Sequence, residues 1–335
     1  MSSSNILLYD TTLRDGSHAI RHQLTKEQIV RYARLADSAG VSVVEVGHGI
    51  GLGASSLQIG KSLLSDEKML CAARENLKNA LLGVHAVPGY ATVGKDLAKA
   101  IDCGVDVIRV AAQCTEADTT EQHISYVRGK GRRVYGGLMM SHMISPEMLV
   151  QEALKMESYG AEGVTILDSA GTFLPDDVTE RIGLLTNALK VPVGFHGHNN
   201  LGMAIANSLA AVEAGAHIID GSICGFGGGA GNSSIELLTA VFAKHGINTG
   251  VDLYKMLDAA DVAEEIFSVL PKITSLSIVS GLSGVVSVFS KPVARAAELY
   301  NVDPRDIFIE LGRQGAVAGQ EDLIVEVAQA LAGRE

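Results

Sequence analysis

The chain has 335 residues, of which 47% are hydrophobic and 19% are charged, and its formal net charge is -11 at pH 7. This composition excludes a disordered chain, and an acidic balance without a dense Lys/Arg run argues against nucleic acid or an anionic membrane as the main partner. The four cysteines are widely spaced and form no C-x-x-C pair, which predicts reduced thiols. The sequence shows no apolar run of the roughly 18 residues that a membrane span needs and no signal-like N-terminal segment, so we expect a cytoplasmic protein.

Short apolar runs of strand character alternate with longer amphipathic runs from residue 5 to about residue 245. The predicted strands are Ile6–Tyr9, Val43–Val46, Leu81–Val84, Val107–Val110, Val134–Met139, Gly163–Leu167, Val193–Phe195 and His217–Asp220. The predicted helices between them include Lys26–Ala39, Val93–Cys103, Thr119–Lys130, Pro146–Tyr159, Asp176–Ala188 and Met203–Ala214. Eight β→α units over about 240 residues match an α/β fold of the (β/α)8 TIM barrel type. A doubly wound open sheet is the main alternative, but the count of eight favours the barrel, which we expect to form a catalytic domain over residues 1–250.

The chain changes character after residue 250, where we expect a C-terminal helical extension over residues 251–335. Its predicted helices are Leu253–Leu270, Pro292–Tyr300, Asp303–Leu311 and Glu321–Leu331, with a Gly/Ser-rich break at Ser280–Ser287. Because the extension is too apolar for a mere tail, we expect it to pack against the barrel, to complete the pocket or to contact a partner.

The stretch Asp10-Thr11-Thr12-Leu13-Arg14-Asp15-Gly16-Ser17-His18 follows the first predicted strand and presents a cation, two carboxylates and an imidazole. The active site of a TIM barrel lies at the C-terminal ends of its strands, which makes Arg14, Asp15 and His18 candidate functional residues. The alternative is a polar turn in which Asp15 caps a local backbone group.

Other polar residues also follow predicted strands. Glu45 and His48 follow the second strand, and Asp168-Ser169 follows the sixth, where the pair forms either a turn or hydrogen-bonding groups for a small acid. The run Gly225–Gly231 follows the eighth strand with a loose G-x-G-x-x-A spacing, which fits either a dinucleotide loop or a close backbone approach near the barrel mouth. Asn232 comes next, either as the cap of the following helix or as a fourth oxygen ligand.

The segment His196-Gly197-His198 follows the seventh predicted strand. Residues i and i+2 of an extended backbone point to the same face, so both imidazoles project together. Two histidines and one carboxylate are enough to hold a divalent ion with open positions. Asp15 is the natural third ligand, since only strand eight separates strands one and seven in a closed barrel. The alternative is a pair of polar histidines at a strand end. A set without thiolates suits Mn²⁺, Mg²⁺ or Co²⁺ better than structural Zn²⁺.

The motifs Asp10-Thr-Thr-Leu-Arg-Asp-Gly16 and His196-Gly-His-Asn-Asn200 together resemble the metal-dependent lyase and synthase superfamily of TIM barrels with this Arg-Asp signature. The segment Ser17-His18-Ala19-Ile20-Arg21-His22-Gln23 is most similar to the 4-hydroxy-2-oxovalerate (4-hydroxy-2-oxoacid) aldolases of aromatic degradation pathways. Glu310-Leu311-Gly312 and Gly319-Gln320-Glu321-Asp322 resemble the same group, and the similarity covers nearly the whole chain.

This resemblance implies a class II, metal-dependent pyruvate aldolase. Such a carbon–carbon lyase (oxo-acid-lyase) cleaves or forms a 4-hydroxy-2-oxoacid from pyruvate and an aldehyde by way of a metal-bound pyruvate enolate. By the same resemblance, Asp15, His196 and His198 bind the ion, which is expected to be Mn²⁺, with Mg²⁺ or Co²⁺ as alternatives. No organic cofactor is needed, and a homo-oligomer is expected.

The resemblance also assigns roles to three further side chains. Arg14 would contact the substrate and stabilise the enolate oxygen that develops as the C–C bond breaks. His18 would take the proton of the C4 hydroxyl, directly or through a water. Ser169 would contact the pyruvate carboxylate.

The segment Gly281–Val288 departs from the family pattern, because the matching Gly-Tyr-Ala-Gly-Val-Tyr-Ser-Ser of the degradation-pathway aldolases carries two tyrosines that are absent here. A tyrosine at this place is thought to shape the aldehyde pocket, so its loss indicates a different or bulkier aldehyde. The candidate pocket residues are Glu45, His48, Asn232, Leu282 and Val286.

The segment Val317-Ala318-Gly319 has Ala where relatives have a second Gly near the channel to the partner enzyme. This difference counts against the usual partner, an acylating aldehyde dehydrogenase. A stand-alone aldolase in a biosynthetic pathway is the alternative.

Two other functions compete with the aldolase. The first is an acyl-CoA-dependent Claisen-type synthase or lyase of the same superfamily, although those synthases are commonly longer. The second is a non-catalytic barrel subunit of an assembly, which would have no use for the metal triad or for Arg14.

Overall fold

The computed structural model describes residues 6–333 and contains a closed barrel of eight parallel strands. The strands are β1 (Leu7–Leu13), β2 (Val43–Val46), β3 (Leu81–Ala86), β4 (Val107–Gln113), β5 (Arg133–Met139), β6 (Val164–Asp168), β7 (Val193–Gly197) and β8 (Ile218–Gly221). Each strand pairs with the next along the chain, and the pairing of β1 with β8 closes the barrel. The predicted TIM barrel is confirmed.

Helices surround the barrel and continue beyond it. The barrel helices are α1 (Lys26–Ala39), α2 (Asp66–Arg74), α3 (Ala98–Asp102), α4 (Glu121–Gly129), α5 (Pro146–Tyr159), α6 (Pro175–Ala188), α7 (Ala204–Glu213) and α8 (Ile235–Lys244). The C-terminal helices are α9 (Leu253–Asp261), α10 (Ala263–Phe267), α11 (Ser275–Ser283), α12 (Ser290–Tyr300), α13 (Pro304–Arg313) and α14 (Asp322–Ala332). Short 3-10 turns follow several strands, including Asp15–His18 after β1, and a π-helical turn at Val93–Leu97 precedes α3.

Helices α1 and α5 begin and end where the sequence predicts, because their ends carry strong local signals. Thr25 accepts a hydrogen bond from the backbone of Gln28, and the Gln28 side chain accepts one from the backbone of Thr25, which forms a capping box. Ser145 caps α5 directly before Pro146, and the helix ends at Gly160 with a φ of 107°.

Two predicted helices differ from the structure, the first in helix type and the second in extent. The predicted Val93–Cys103 is a π-helical turn followed by the short α3. The predicted Leu253–Leu270 divides into α9 and α10 at Val262, whose ψ of 1° departs from helical geometry. Helix α10 ends at Phe267, three residues before the predicted end at Leu270, because Ser268 adopts a left-handed φ of 61°.

Helix α11 lies where the sequence predicts a Gly/Ser-rich break. Thr274 and Ser277 form a capping box at its start, and the helix continues through Gly281. A side chain at Gly281 would place a Cβ 2.9 Å from Cβ of Asn200. The small residues therefore allow close packing of a helix on the barrel, which their composition alone does not reveal.

The described residues bury three apolar clusters, the smallest of which is formed by strand residues around Tyr9 and Tyr135. The barrel core includes side chains from α9 and α10, such as Met256, Ala263 and Phe267. A second core forms within the C-terminal helices around Val293, Phe308 and Ile324. Within residues 6–333, no helix is long and apolar enough to cross a membrane.

Candidate active site

The first strand carries the candidate site to the barrel mouth. The structure extends β1 through Asp10 to Leu13, and a 3-10 turn over Asp15–His18 then ends the stretch. The Asp10 carboxylate accepts hydrogen bonds from the Thr12 backbone N–H at 2.8 Å and from the Tyr32 hydroxyl at 2.6 Å. Burial raises the pKa of Asp10 to about 6. Asp10 therefore holds the strand end in place, while Arg14 and Asp15 face the site.

Arg14 is buried, and most of its donors are occupied by protein acceptors. Nε donates to Oε2 of Glu45 at 3.1 Å, and Nη1 donates to Asp15 at 2.7 Å and to the carbonyl of Gly49 at 3.1 Å. Nη2 is buried without a hydrogen-bond partner among the described residues. A buried donor without a partner is costly, so this edge of the guanidinium is suited to an anionic ligand oxygen.

Glu45 lies within β2, and the predicted position after the strand is corrected accordingly. Burial alone would raise its pKa, but the guanidinium groups of Arg14 and Arg109 hold the pKa of Glu45 well below its usual range. Its Oε1 lies 3.6 Å from Nδ1 of His85. An ionised, buried carboxylate therefore orients the guanidinium of Arg14.

Asp15, His196 and His198 come together as the sequence predicts. One ligand atom from each lies within 4.8 Å of the others, and the two Nε2 atoms of the histidines are 3.3 Å apart. Neighbouring ligands of a Mn²⁺ or Mg²⁺ ion at octahedral distances are roughly 3 Å apart. The residues therefore fit a divalent ion, with a nitrogen and oxygen donor set and no thiolate.

The charges around these three residues favour a cation. Burial would raise the pKa of Asp15, but Arg14 and the nearby imidazoles hold it well below its usual range, so the carboxylate is ionised. Burial lowers the pKa of His198 to about 4, which leaves a neutral imidazole able to coordinate.

Asn232 completes this group. Its Nδ2 donates to Oδ2 of Asp15 at 2.8 Å, and its Oδ1 is buried without a hydrogen-bond partner among the described residues. Helix α8 begins three residues later at Ile235, with Ser234 at the capping position, so Asn232 does not cap it. The free amide oxygen matches the predicted alternative of a fourth oxygen donor.

His18 is half-buried at the end of the 3-10 turn. A Cβ at Gly49 would lie 2.4 Å from its Nε2, and a Cβ at Gly228 would lie 3.4 Å from its own Cβ. Two glycines therefore flank the imidazole closely. Burial lowers the pKa of His18, so it is neutral at pH 7 and able to accept a proton.

His48 stands apart from this chemistry. Its Nε2 lies 3.1 Å from the carbonyl of Gly60, its Nδ1 accepts from the backbone of Ile50 at 3.1 Å, and its ring stacks on His22 with centroids 3.7 Å apart. Both nitrogens are thus committed to the backbone. The structure places this candidate pocket residue in a structural role.

Asp168 forms a turn after β6. Its carboxylate accepts from the backbone of Thr172 at 2.9 Å and of Phe173 at 3.1 Å. Ser169 is half-buried, and its Oγ accepts from the backbone N–H of Met140 at 3.1 Å. The Ser169 hydroxyl proton therefore remains available to an acceptor at the barrel mouth.

The glycine-rich loop after β8 allows close approach of neighbouring side chains. A Cβ at Gly227 would lie 2.7 Å from Nδ2 of Asn232, and one at Gly229 would lie 2.4 Å from Oγ of Ser287. The loop thereby lies close both to Asn232 and to Ser287 of the C-terminal extension.

The C-terminal extension contacts the barrel mouth through small residues. Nδ2 of Asn200 donates to the Ser277 carbonyl at 3.1 Å and to Oγ of Ser287 at 3.0 Å, and Nε2 of His142 lies 3.0 Å from the Gly284 carbonyl. Val286, next to Ser287, is half-buried, whereas Leu282 on α11 is 69% exposed. Val286 packs against the apolar core of the C-terminal helices, whereas Leu282 is open to solvent.

Comparison with known proteins identifies the family. Residues 5–263 match the HMGL-like family, and residues 271–333 match the DmpG-like communication domain. A Pectobacterium atrosepticum protein named 4-hydroxy-2-oxovalerate aldolase is 60% identical over 333 residues, which cover 99% of this chain and 97% of the relative. A Spirochaeta aurantia protein of the same name is 58% identical, with 100% and 99% covered. The chain belongs to the 4-hydroxy-2-oxovalerate aldolase family.

Two solved structures that share the fold of this aldolase family member are more distant in sequence than these relatives. The N-terminal domain of a candidate aldolase from Bacteroides vulgatus has a TM-score of 0.73 at 22% identity, with 88% of this chain and 97% of that chain covered. The carboxyl transferase domain of Rhizobium etli pyruvate carboxylase, solved with pyruvate, has a TM-score of 0.82 at 16% identity. This chain covers 61% of that domain. Both likenesses concern the barrel fold.

Two buried residues of this aldolase family member were missed by the sequence reasoning. Arg109 pairs with Asp220 inside the barrel. A lone arginine within the apolar run Val107–Val110 was an available signal, since an unpaired cation is rarely buried in a strand. Its partner on β8 could not be identified without the barrel closure.

Proposed function

We propose that Asp15, His196 and His198 bind a divalent metal ion and that the chain is the corresponding class II pyruvate aldolase. It cleaves a 4-hydroxy-2-oxoacid to pyruvate and an aldehyde, or forms the acid from them. The observation that carries this proposal is the cluster of one carboxylate and two imidazoles beside a guanidinium edge without a protein partner. Mn²⁺ is the preferred ion, with Mg²⁺ or Co²⁺ as alternatives, and Asn232 offers a further oxygen donor.

A divalent ion bound by these residues supplies Lewis acidity toward the carboxylate and 2-oxo oxygens of the substrate. Arg14 is proposed to donate from its free Nη2 to the 2-oxo oxygen, where negative charge develops as the C–C bond breaks. Because Glu45 already fixes Nε, the donor is positioned before the reaction begins. The hydroxyl of Ser169 is proposed to contact the substrate carboxylate.

His18 is proposed to move the proton. In the cleavage direction it takes the C4 hydroxyl proton, the oxygen electron pair forms the aldehyde C=O, and the C3–C4 bond breaks. The electron pair of that bond becomes the C2–C3 enolate, and C3 then takes a proton to give pyruvate. A neutral imidazole fits this role because it can accept the proton, and the two glycines that flank it let the backbone approach the ring without a clashing side chain.

The barrel and the C-terminal extension are proposed to have different roles in the reaction. Residues 1–250 carry the ligands and the proton-transfer group, and the extension over 251–335 completes the pocket. Val286, held beside the Asn200–Ser287 hydrogen bond, is the proposed contact for the aldehyde substituent. An aliphatic residue here favours apolar aldehydes.

The extension is also proposed to contact a partner protein. Its exposed apolar residues include Leu282, Val288 and Leu299, and its match to a domain described as a communication domain supports such a contact. An acylating aldehyde dehydrogenase is the partner that the resemblance implies, despite Ala318. Leu282→Glu should weaken co-elution with such a dehydrogenase, whereas Leu57→Glu, at a site 89% exposed on the barrel, should not. Equal co-elution of both variants would contradict this contact. A homo-oligomer is proposed as well, and sedimentation of the purified protein measures it.

The aldolase activity is tested with Mn²⁺-loaded protein and 4-hydroxy-2-oxovalerate, with pyruvate measured through lactate dehydrogenase. The reverse direction is tested with pyruvate and a panel of aldehydes, with the adducts identified by mass. EDTA treatment and His196→Ala should each abolish pyruvate release. Release of CoA thiol from acetyl-CoA and a 2-oxoacid, without pyruvate release, would instead establish the Claisen-type synthase. Absence of metal binding and of any effect of His196→Ala would leave the non-catalytic subunit.

A further inference from the structure

An ion pair crosses the interior of the barrel beneath the metal ligands. Arg109 on β4 and Asp220 on β8 come from opposite sides of the eight-stranded barrel, and both are buried. Nη2 of Arg109 donates to Oδ1 of Asp220 at 2.8 Å, and Nη1 donates to Oδ2. The Arg109 guanidinium also lies 3.9 Å from the centroid of the Tyr9 ring. The bidentate pair fixes the plane of the carboxylate.

The same carboxylate reaches a metal-ligand candidate. Oδ2 of Asp220 lies 2.9 Å from Nδ1 of His196. A carboxylate whose two oxygens already accept from a guanidinium accepts a further proton donor, so Nδ1 of His196 is the protonated nitrogen. Nε2 then carries the lone pair, and it faces Nε2 of His198 at 3.3 Å.

We propose that Asp220, held by Arg109, is a positioning residue that fixes the tautomer and ring orientation of His196 for metal binding. This inference rests on the proposed metal site. Arg109 contributes by locking the carboxylate, because a bidentate partner leaves it one orientation. Neither residue contacts the ion or the substrate.

A purely structural ion pair would affect folding without affecting the metal site. Removing one member of a buried pair leaves an uncompensated charge, which destabilises a protein whatever the pair's other role. The test therefore needs a variant in which both charges are removed together, and a measurement on the unaltered protein.

The tautomer is measured first, by ¹⁵N NMR of the metal-free wild-type protein with labelled histidines, assigned with His196→Gln. A proton on Nδ1 of His196 is the expected result. A proton on Nε2 would overturn the inference without any variant.

Metal affinity is measured next, by calorimetry with Mn²⁺ as the probe. Asp220→Asn and the charge-neutral double variant Arg109→Met/Asp220→Leu are each expected to bind Mn²⁺ about 10- to 100-fold more weakly than the wild type. Glu236→Gln is the matched control, since this buried carboxylate on α8 accepts from the backbone of Cys224 and contacts none of the three ligands. It is expected to keep the wild-type affinity.

The outcomes separate the inference from the proposed function. Wild-type protein that binds no Mn²⁺ contradicts the metal site, and the NMR result then decides the tautomer alone. Wild-type protein that binds Mn²⁺ with the same dissociation constant as a folded double variant overturns the positioning role and leaves the metal site standing. If Asp220→Asn does not fold, the double variant and the NMR measurement decide.

Discussion

Nε of Arg14 lies 3.1 Å from Oε2 of Glu45, so a carboxylate of β2 sets the direction of a guanidinium at the end of β1. Nη1 is engaged as well, by Asp15 and the Gly49 carbonyl. Only the Nη2 edge is left without a partner in the described part of the chain. The Arg14 guanidinium is thus fixed on one side and available to an oxyanion on the other. The side chain therefore needs little rearrangement during the reaction.

Arg14→Ala should lower kcat by about 10²- to 10³-fold, because it removes a donor to charge that develops in the transition state. Mn²⁺ should remain bound, as calorimetry would show. Arg14→Lys keeps the charge without the planar fork and should recover only part of the rate. An unchanged kcat for Arg14→Ala would remove this residue from the mechanism.

Glu45→Gln should lower kcat by roughly 10- to 100-fold, because the guanidinium loses its ionic anchor and shifts from its productive position. Steady-state kinetics with 4-hydroxy-2-oxovalerate measure the effect. Thermal unfolding is recorded in parallel, since removing one partner of a buried pair also costs stability. If kcat stays at the wild-type value, Glu45 has no positioning role.

The pH dependence follows from His18. Burial lowers its pKa, so the neutral base persists below the usual histidine range and is lost only when the pH falls through the lowered value. We expect kcat/KM to be flat from neutral pH down through about 6.5, the ordinary histidine value, and to fall at lower pH. His18→Gln should have a low kcat/KM, and this value should no longer fall as the pH drops below about 6.5. A limb centred above pH 6.5 in the wild type would contradict the assignment.

Val286→Tyr should narrow the range of aldehydes accepted, because it places an aromatic ring and a hydroxyl at a half-buried position next to Ser287, whose Oγ accepts from Asn200. Relative kcat/KM values over a series of aldehydes of increasing length provide the measurement. Val288→Tyr, two residues away and 61% exposed, is the matched control and should leave the series unchanged. The pocket argument is wrong if both variants give the wild-type profile.

Gly284→Ala should destabilise the protein more than Gly246→Ala does. Both glycines have left-handed φ values, 67° and 76°, so the backbone strain of about 1 kcal/mol is shared. The Gly284 methyl would also lie 2.9 Å from Nε2 of His142, whereas nothing lies within 4 Å at Gly246. Overpacking adds about 1–3 kcal/mol. Urea denaturation measures the free energy of unfolding of both variants. Equal decreases would show that the His142 side chain moves aside without cost.

The sequence predicted the barrel because strand runs and capping signals are local. Thr25 with Gln28 and Ser145 with Pro146 specify helix starts without reference to the rest of the chain. The clustering of His196 and His198 was predictable for a related reason, since the two share a face in any extended strand. That Asp15 lies near the two histidines could be predicted from the order of strands in a closed barrel, because only β8 separates β1 from β7.

The remaining features depend on contacts between distant segments. Helix α11 was missed because Ser and Gly favour a loop locally, and only the close approach of Gly281 to Asn200 explains them. The Arg109–Asp220 pair was missed for the same reason, since its partners are 111 residues apart. The unexpected commitment of His48 to backbone groups likewise depends on a loop conformation that its sequence does not specify.

The hydrogen bond between Asp15 and Asn232 joins positions 217 residues apart, and the two histidines, at the end of β7 and directly after it, lie between them in the sequence. A nascent chain that has not yet supplied the seventh strand holds only the carboxylate, which has little affinity for a divalent ion alone. The proposed ion would therefore recognise a completed barrel and favour it over every partly folded form by mass action. Metal uptake during refolding would thus report the time at which the barrel closes. A chain truncated before residue 196 should show no such uptake.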